Sequence, residues 1–440
     1  MKVLMFGWEF PPYISGGLGT ACYGLTQHMA RRGARITFVL PMLRERAQKS
    51  HVKLMGAVEV AEALPKAAIK EASLVREREE ENMRFLRVSS ALRPYLTEQR
   101  YVEELARLER ERVRALGGKP EGRDVSDSVI QISGEYGRNL VEEVHRYATV
   151  GRRLAIVEDF DIIHAHDWMT FPAAIAAKQA SGKPLVIHVH ATEFDRSGDH
   201  PNWEIYHLEK WGMEAADRII AVSGRTRDLI VSRYFIAPAK VAVVHNAVIK
   251  EKTVERKQVV RGVKEKIVLF LGRVTLQKGP DYFVEAAARV ARKIKNVRFV
   301  MAGTGDMLPR MIERMAQHRL LDRFHFTGFL RGKKLEEMYA MSDLYVMPSV
   351  SEPFGITPFE AMKYGVPVIV SKQAGITEVL PHLIKVDFWD VEALARSILD
   401  VLTDPEYSEG LVETNTRELE KVDWDNSAAK VLDIYGGLLP

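Results

Sequence analysis

Short apolar runs alternate with longer stretches of helical periodicity along nearly the whole chain, which is the signature of βα units wound around parallel sheets. The pattern predicts strands at residues 3–6, 36–39, 162–165, 185–189, 219–222 and 241–244, then a fresh series at 267–271, 297–302, 324–327, 344–347 and 366–370. Most of these runs are apolar throughout, as strands buried on both faces of a parallel sheet must be. Residues 250–266 (KEKTVERKQVVRGVKEK) are polar, dense in charge and without core periodicity, and read as a linker. The expected class is therefore α/β, two doubly wound sheets in tandem, with one domain over residues 1–250 and a second over 251–423. The last amphipathic stretch, within residues 424–440, either caps the second domain or packs back on the first. Residues 97–116 form a charge-rich helical segment, expected on a solvated surface, with a partner or acceptor surface as the alternative.

Composition narrows the class of function. A chain of 440 residues with 46% apolar and 28% charged positions has the balance of a globular protein of two or three domains. Lys and Arg number 63 against 59 Asp and Glu, and a net charge of +4 spread along the chain argues against nucleic acid as the main ligand. The single cysteine, Cys22, permits neither an internal disulfide nor a cysteine-based zinc site and fits a reducing compartment. The opening run MKVLMFGWEFPP stops at Glu9, Pro11 and Pro12, too short for a signal peptide. No stretch reaches the roughly 18 apolar residues that a membrane span needs. A cytoplasmic protein without a membrane partner is expected, and a homo-oligomer stays open. Scarce Asn and Gln beside abundant Glu, Lys and Arg match a composition associated with heat-adapted proteins.

Open α/β sheets bind ligands beyond the carboxyl ends of their strands, so those loops carry the candidate chemistry. After the first strand comes SGGLGT, whose Gly16 and Gly17 let backbone amides approach an anion at a helix N-terminus. The spacing is not that of the dinucleotide fingerprint, and a plain tight turn explains such glycines about as well. The strand at 267–271 runs into GRVTLQKG, which places Arg273 and Lys278 in one strand-to-helix loop. Two cations there suit a diphosphate, Arg through two oxygens and Lys as a point charge; ordinary surface solvation is the alternative. The segment SVSEPFGITPFEAMKYGVPVI, residues 349–369, holds Glu352 in a loop and Glu360 eight positions on, inside a helix beginning near Thr357. The helix start offers free amides to a phosphate. Carboxylates on either side of an anion site would repel it unless they bind neutral hydroxyls, which assigns both to sugar rings. Glu360 reads equally well as an acid stabilising the helix dipole.

The early Gly-Gly loop, the Arg273 and Lys278 loop and the Glu352 to Glu360 segment together resemble retaining glycosyltransferases of the GT-B fold, two facing Rossmann-like domains with a deep interdomain cleft. Within that group EFPPYISGGLG and IIHAHDW look most like glycogen and starch synthases, in a short archaeal-type form. The resemblance implies transfer of glucose from ADP-glucose or UDP-glucose to the non-reducing end of an α-1,4-glucan, with retained configuration and no metal or other cofactor. It puts Arg273 and Lys278 on the donor diphosphate, Glu352 on the transferred glucose and His190 (VIHVHATEF) near the reaction centre. Gly16, Gly17 and the backbone at Ile356 and Thr357 would hold phosphate oxygens. Glu360 would bind the ribose, Phe329 or Leu330 would hold the base, and Asp167 (HAHDW) would lie on the acceptor side. Retention is expected through same-face attack, because no carboxylate is clearly placed as a nucleophile. Three positions depart from bacterial glycogen synthases: Ile14 stands where lysine is usual, Phe354 replaces a common cysteine, and Glu360 is acidic as in sucrose, trehalose and lipid-linked sugar transferases.

Two rival readings remain from the residues alone. His164 and His166 share a strand face, as do His188 and His190, so four imidazoles have the spacing to meet at one metal in a hydrolase. A sugar-binding protein without catalysis is the third, although such proteins are typically exported.

Overall fold

In the first strand Val3, Leu4, Met5 and Phe6 are all buried, the consequence of an apolar run paired on both edges. The computed structural model describes residues 1–11, 16–41, 50–56, 87–91, 129–133, 140–250 and 254–440. Ile14 and the charged segment at 97–116 lie outside the described residues.

The first sheet contains β1 (Lys2–Phe6), β2 (Arg35–Leu40), β3 (Lys53–Gly56), β6 (Ile162–His166), β7 (Leu185–Val189), β8 (Arg218–Ala221) and β9 (Val241–Val243), in the order β3-β2-β1-β6-β7-β8-β9. β4 (Arg87–Ala91) and β5 (Val129–Ser133) form a separate parallel pair. β1 pairs in parallel with β2 on one side and β6 on the other. The strand order therefore reverses between β1 and β6, the position at which open α/β sheets bind ligands.

The second sheet contains β10 (Lys266–Leu271), β11 (Val297–Ala302), β12 (Phe324–Gly328), β13 (Leu344–Met347), β14 (Val368–Ser371) and β15 (Ile384–Val386). All five pairings are parallel in the order β12-β11-β10-β13-β14-β15, which is the doubly wound arrangement of a dinucleotide-binding sheet. Its switch point lies between β10 and β13. The core beneath it is built on Phe270, Phe283, Phe299 and Phe324, with the Phe299 and Phe324 rings stacked at 5.2 Å. Alanines 286, 287 and 288 on the Pro280–Lys293 helix let that helix lie close to the sheet. Burying each aromatic contributes about 1.5–3 kcal/mol.

The chain divides into two compact units, one comprising Met1–His188, Leu208–Ile219 and Leu432–Pro440, the other Val189–His207 and Ile220–Val431. The terminal helix Trp424–Gly436 carries residues of both: Ser427 donates to the His245 carbonyl at 2.7 Å in the second unit, and the Tyr435 hydroxyl meets His164 Nδ1 at 2.5 Å in the first.

Residues 254–266 are not a free linker. Val254 is buried. Arg256 donates to the carbonyls of Ser342, Tyr364 and Gly365, and Arg261 is paired with Asp343 at 2.8 Å. Lys266 already belongs to β10. Arginines that bond to carbonyls leave no apolar period, so this anchoring is invisible in the hydrophobic pattern. The pattern also missed β3, β4, β5 and β15; β15 is a three-residue edge strand with one fully buried position.

Gly303, just past β11, holds φ +139°, and a Cβ there would stand 1.8 Å from the Gly272 carbonyl. Gly303→Ala is expected to destabilise the protein by about 2–3 kcal/mol, from strain and overpacking together. A urea midpoint equal to that of the parent would refute this account of how the loops after β10 and β11 pack together.

Candidate active site

Loops at the β10/β13 switch point bring the predicted diphosphate cations and the first predicted acid into one place. Gly279 sits in the left-handed region at φ +66°, and a Cβ would fall 2.1 Å from the Pro348 carbonyl. The turn after β10 can therefore pack directly on the loop after β13. The Gln277 carbonyl accepts the Val350 amide at 2.9 Å, and the Gln277 side chain accepts from Arg273 Nη2 at 3.0 Å. Lys278 Nζ reaches Glu352 Oε2 at 2.5 Å, and the same oxygen accepts from Ser349 Oγ at 3.2 Å. Glu352 is buried, and such a carboxylate needs both partners to be tolerated. Its backbone is fixed as well, accepting the Gly375 amide at 3.0 Å and donating to the Gln373 carbonyl at 3.2 Å.

The helix predicted near Thr357 spans Thr357–Lys363, with Ile356 as its N-cap. Thr357 Oγ1 lies 2.7 Å from the Tyr345 hydroxyl. Glu360, in the first turn, accepts from the Tyr339 hydroxyl at 2.7 Å. Burial raises its pKa above the ordinary carboxylate range, opposed by the Tyr339 hydrogen bond and the Lys363 charge. Phe329 and Leu330 follow β12 at the sheet's edge; Phe329 is 49% exposed, and the Arg331 guanidinium lies 4.8 Å from its ring centre. The second unit also contains His190, directly after β7. Burial lowers its pKa to about 3, which keeps the imidazole neutral near pH 7.

Sequence reasoning missed a polar junction in this unit. Ser351 Oγ donates to Asp195 Oδ1 at 2.6 Å and accepts from Arg225 Nη2 at 3.3 Å. The Glu378 carboxylate accepts the amides of Gly224 and Arg225 at 2.8 and 3.0 Å and lies 2.8 Å from His245 Nε2. Burial pushes the Glu378 pKa up, but His245 and those two amides outweigh it and hold the group below the usual range.

In the first unit the loops after β1 and β6 hold a different set. The Gly16 amide, predicted for phosphate, donates to Glu9 Oε2 at 3.1 Å, and Glu9 is buried. Gly17 opens the helix Gly17–Arg31. Asp167 has φ +59° and ψ 166°, a region costly for a residue with a side chain and concentrated at functional sites. Its amide donates to the His188 carbonyl at 3.0 Å. Burial raises the pKa of the Cys22 thiol, with the charges of Asp167 and Glu9 adding to the effect. The signal for Glu9 was an acid inside an otherwise apolar opening run. Within this unit the ligand atoms of His164, His166 and His188, histidines of the metal reading, lie within 4.8 Å of one another, all buried.

The glycosyl transferases group 1 family matches residues 251–418, and glycosyltransferase family 4 matches residues 98–252. An uncharacterized glycosyltransferase of Methanocaldococcus jannaschii is 27% identical over 455 positions, covering 99% of this chain and 98% of that protein. The alpha-maltose-1-phosphate synthase of Mycolicibacterium smegmatis is 31% identical over 62% of this chain and 78% of its own. A glycogen synthase of Mycobacterium tuberculosis is 27% identical over 62% of this chain and 68% of its own. Among solved structures, the sucrose-phosphate synthase of Thermosynechococcus elongatus superposes with a TM-score of 0.71 at 17% identity, covering 99% of this chain and 98% of that one. HepE of Anabaena, in complex with UDP-glucose, superposes with a TM-score of 0.63 at 15% identity over the whole of both chains. No helix among the described residues is long and apolar enough to cross a membrane. Two parallel Rossmann-like sheets, basic and acidic side chains meeting at a switch point, and similarity along both halves lead to one conclusion: the chain belongs to the group 1 glycosyltransferases and has the GT-B fold.

Proposed function

We propose that this glycosyltransferase transfers glucose from ADP-glucose or UDP-glucose to the non-reducing end of an α-1,4-glucan with retention of configuration. The observation that carries the reading is the contact of Lys278 with Glu352 at 2.5 Å, on the loop that also holds Arg273. A cation and a carboxylate side by side suit a ligand that presents a phosphate next to a neutral sugar ring. In this mechanism Arg273 and Lys278 take the donor diphosphate, with the amides at Ile356 and Thr357 on its oxygens, and Glu352 holds the hydroxyls of the glucose. His190, neutral through burial, contacts the sugar near the bond that breaks. Charge collects on the leaving phosphate as that bond opens, so the cations favour the transition state over the ground state. The acceptor hydroxyl attacks from the face the diphosphate leaves, and its proton passes to the departing phosphate oxygen on that face. Glu360, oriented by Tyr339, takes the ribose, and Phe329 or Leu330 borders the base.

The acid at Glu360 favours a second reading, a related retaining transferase acting on a small-sugar or lipid-linked acceptor. Sucrose-phosphate synthase and alpha-maltose-1-phosphate synthase among the similar proteins agree with it. One experiment separates the two: each nucleotide-glucose is incubated with glycogen or with small sugar acceptors, with and without exhaustive chelation, and donor breakdown and chain extension are measured. The expected result is extension that survives chelation in a protein without stoichiometric zinc. Donor breakdown only with small acceptors would favour the second reading. Loss of activity on chelation, restored by zinc, would sink the metal-free mechanism and turn attention to the cluster of His164, His166 and His188.

A further inference from the structure

The two side chains assigned to the donor glucose come from distant parts of the chain, His190 from the end of β7 and Glu352 from the loop after β13. Their relative position must nevertheless hold to a fraction of an ångström for transfer to be efficient. One buried contact connects their loops directly. Two residues past His190, Thr192 and Asp195 form a reciprocal cap on the short helix Glu193–Ser197, and Asp195 Oδ2 accepts both the Thr192 amide and its hydroxyl at 2.8 Å. That oxygen alone completes the local turn. The other oxygen, Oδ1, accepts from Ser351 Oγ at 2.6 Å across 156 residues of sequence, and Ser351 immediately precedes Glu352. Asp195 and Ser351 are 2% and 8% exposed, so water competes little for this bond. A hydrogen bond to a charged partner is also among the stronger ones a protein makes. Arg225 supports the serine from a third segment through Nη2 at 3.3 Å.

We propose that Asp195 and Ser351 are a positioning pair that holds the His190 loop and the Glu352 loop in the register required for glucosyl transfer. In this role both residues act through the neighbouring loops and not by contact with the donor. Asp195 divides its two oxygens between shaping one loop and tying it to the other, and Ser351 transmits the tie to the adjacent acid. The proposal rests on the reading that His190 and Glu352 contact the donor glucose.

The test uses the full chain as parent, Ser351→Ala, Asp195→Ala, the double variant and the conservative Ser351→Thr. Release of nucleoside diphosphate from saturating ADP-glucose or UDP-glucose is measured with and without glycogen, and binding of ADP or UDP is measured by calorimetry. Each single loss is expected to lower turnover by about 30- to 100-fold, the scale of a small misplacement at a reacting centre, with diphosphate binding within about threefold of the parent. The double variant should be little worse than the weaker single, because both remove the same contact. Ser351→Thr, which keeps the hydroxyl, should recover most of the turnover. Turnover near that of the parent in Ser351→Ala would overturn the proposal. So would single effects that multiply in the double variant. A variant that lost diphosphate binding together with turnover would make the contact a general structural tie, and would overturn it equally. A parent inert with both nucleotide-glucoses, with and without glycogen, removes the donor reading and this proposal with it; an active parent with unaffected variants removes the proposal alone.

Discussion

Glu352→Ala should lower turnover by about 100-fold or more while the protein remains folded and keeps its affinity for nucleoside diphosphate. The side chain is buried and its Oε2 is shared between Lys278 at 2.5 Å and Ser349 at 3.2 Å. Its removal takes away the group proposed to hold the glucose hydroxyls. It also frees Lys278 from a neighbouring negative charge, which a diphosphate would otherwise have to share. Binding of free ADP or UDP should therefore hold steady or tighten while transfer falls, and that divergence separates a sugar-positioning acid from a residue that merely supports the loop. The backbone bonds of Glu352 to Gln373 and Gly375 do not depend on its side chain, so the loop should keep its course. Calorimetry with the free diphosphate beside steady-state transfer measures both halves. Turnover close to the parent's, or diphosphate binding lost in step with turnover, would remove Glu352 from the sugar.

Much of the second sheet was legible because its strands are buried on both faces and leave unbroken apolar runs: Val268, Leu269 and Phe270, or Leu344, Tyr345 and Val346, are all at most 2% exposed. β15 was not, since Ile384 and Lys385 are only half-buried at an edge. Arg273, Lys278 and Glu352 stood out because each lies within a few residues of a glycine or proline that marks a strand-end loop. Gln277 and Ser351 lie in the same loops and Asp195 three residues before Gly198, so nearness to a turn residue did not single them out. Their importance is a set of hydrogen bonds to partners remote in sequence, and a serine or aspartate in a polar loop looks the same with or without such a partner. The anchoring of Arg256 on three carbonyls is of the same kind. It turned an expected linker into a fixed part of the second unit. Hydrophobic period records which face meets the core, whereas these ties are polar and are specified only by the folded backbone that supplies their acceptors.

Removing either cation of the β10 loop should weaken nucleoside diphosphate binding, and the two variants should differ. Each supplies a charge-assisted contact of about 1.5–3 kcal/mol, roughly a 10- to 150-fold loss at 1.4 kcal/mol per decade. Arg273 is braced by Gln277 at 3.0 Å, so Arg273→Ala leaves a neutral amide that adds no repulsion to the diphosphate. Lys278 instead neutralises Glu352, so Lys278→Ala leaves a buried carboxylate facing the anion. Its loss should therefore be the larger of the two. The single-turnover rate at saturating donor should fall as well, because the departing diphosphate gains negative charge as the glycosidic bond breaks and the cation stabilises that charge more than the bound donor. Adding Glu352→Gln to Lys278→Ala should recover part of the lost diphosphate affinity, since the repelling charge is gone, but none of the transfer rate. Calorimetry of the free diphosphate and quenched single-turnover transfer from the nucleotide-glucose give the two quantities. If binding fell in Arg273→Ala and Lys278→Ala while the single-turnover rate stayed at the parent's value, these cations would be ground-state anchors, and leaving-group stabilisation would have to come from elsewhere in the site.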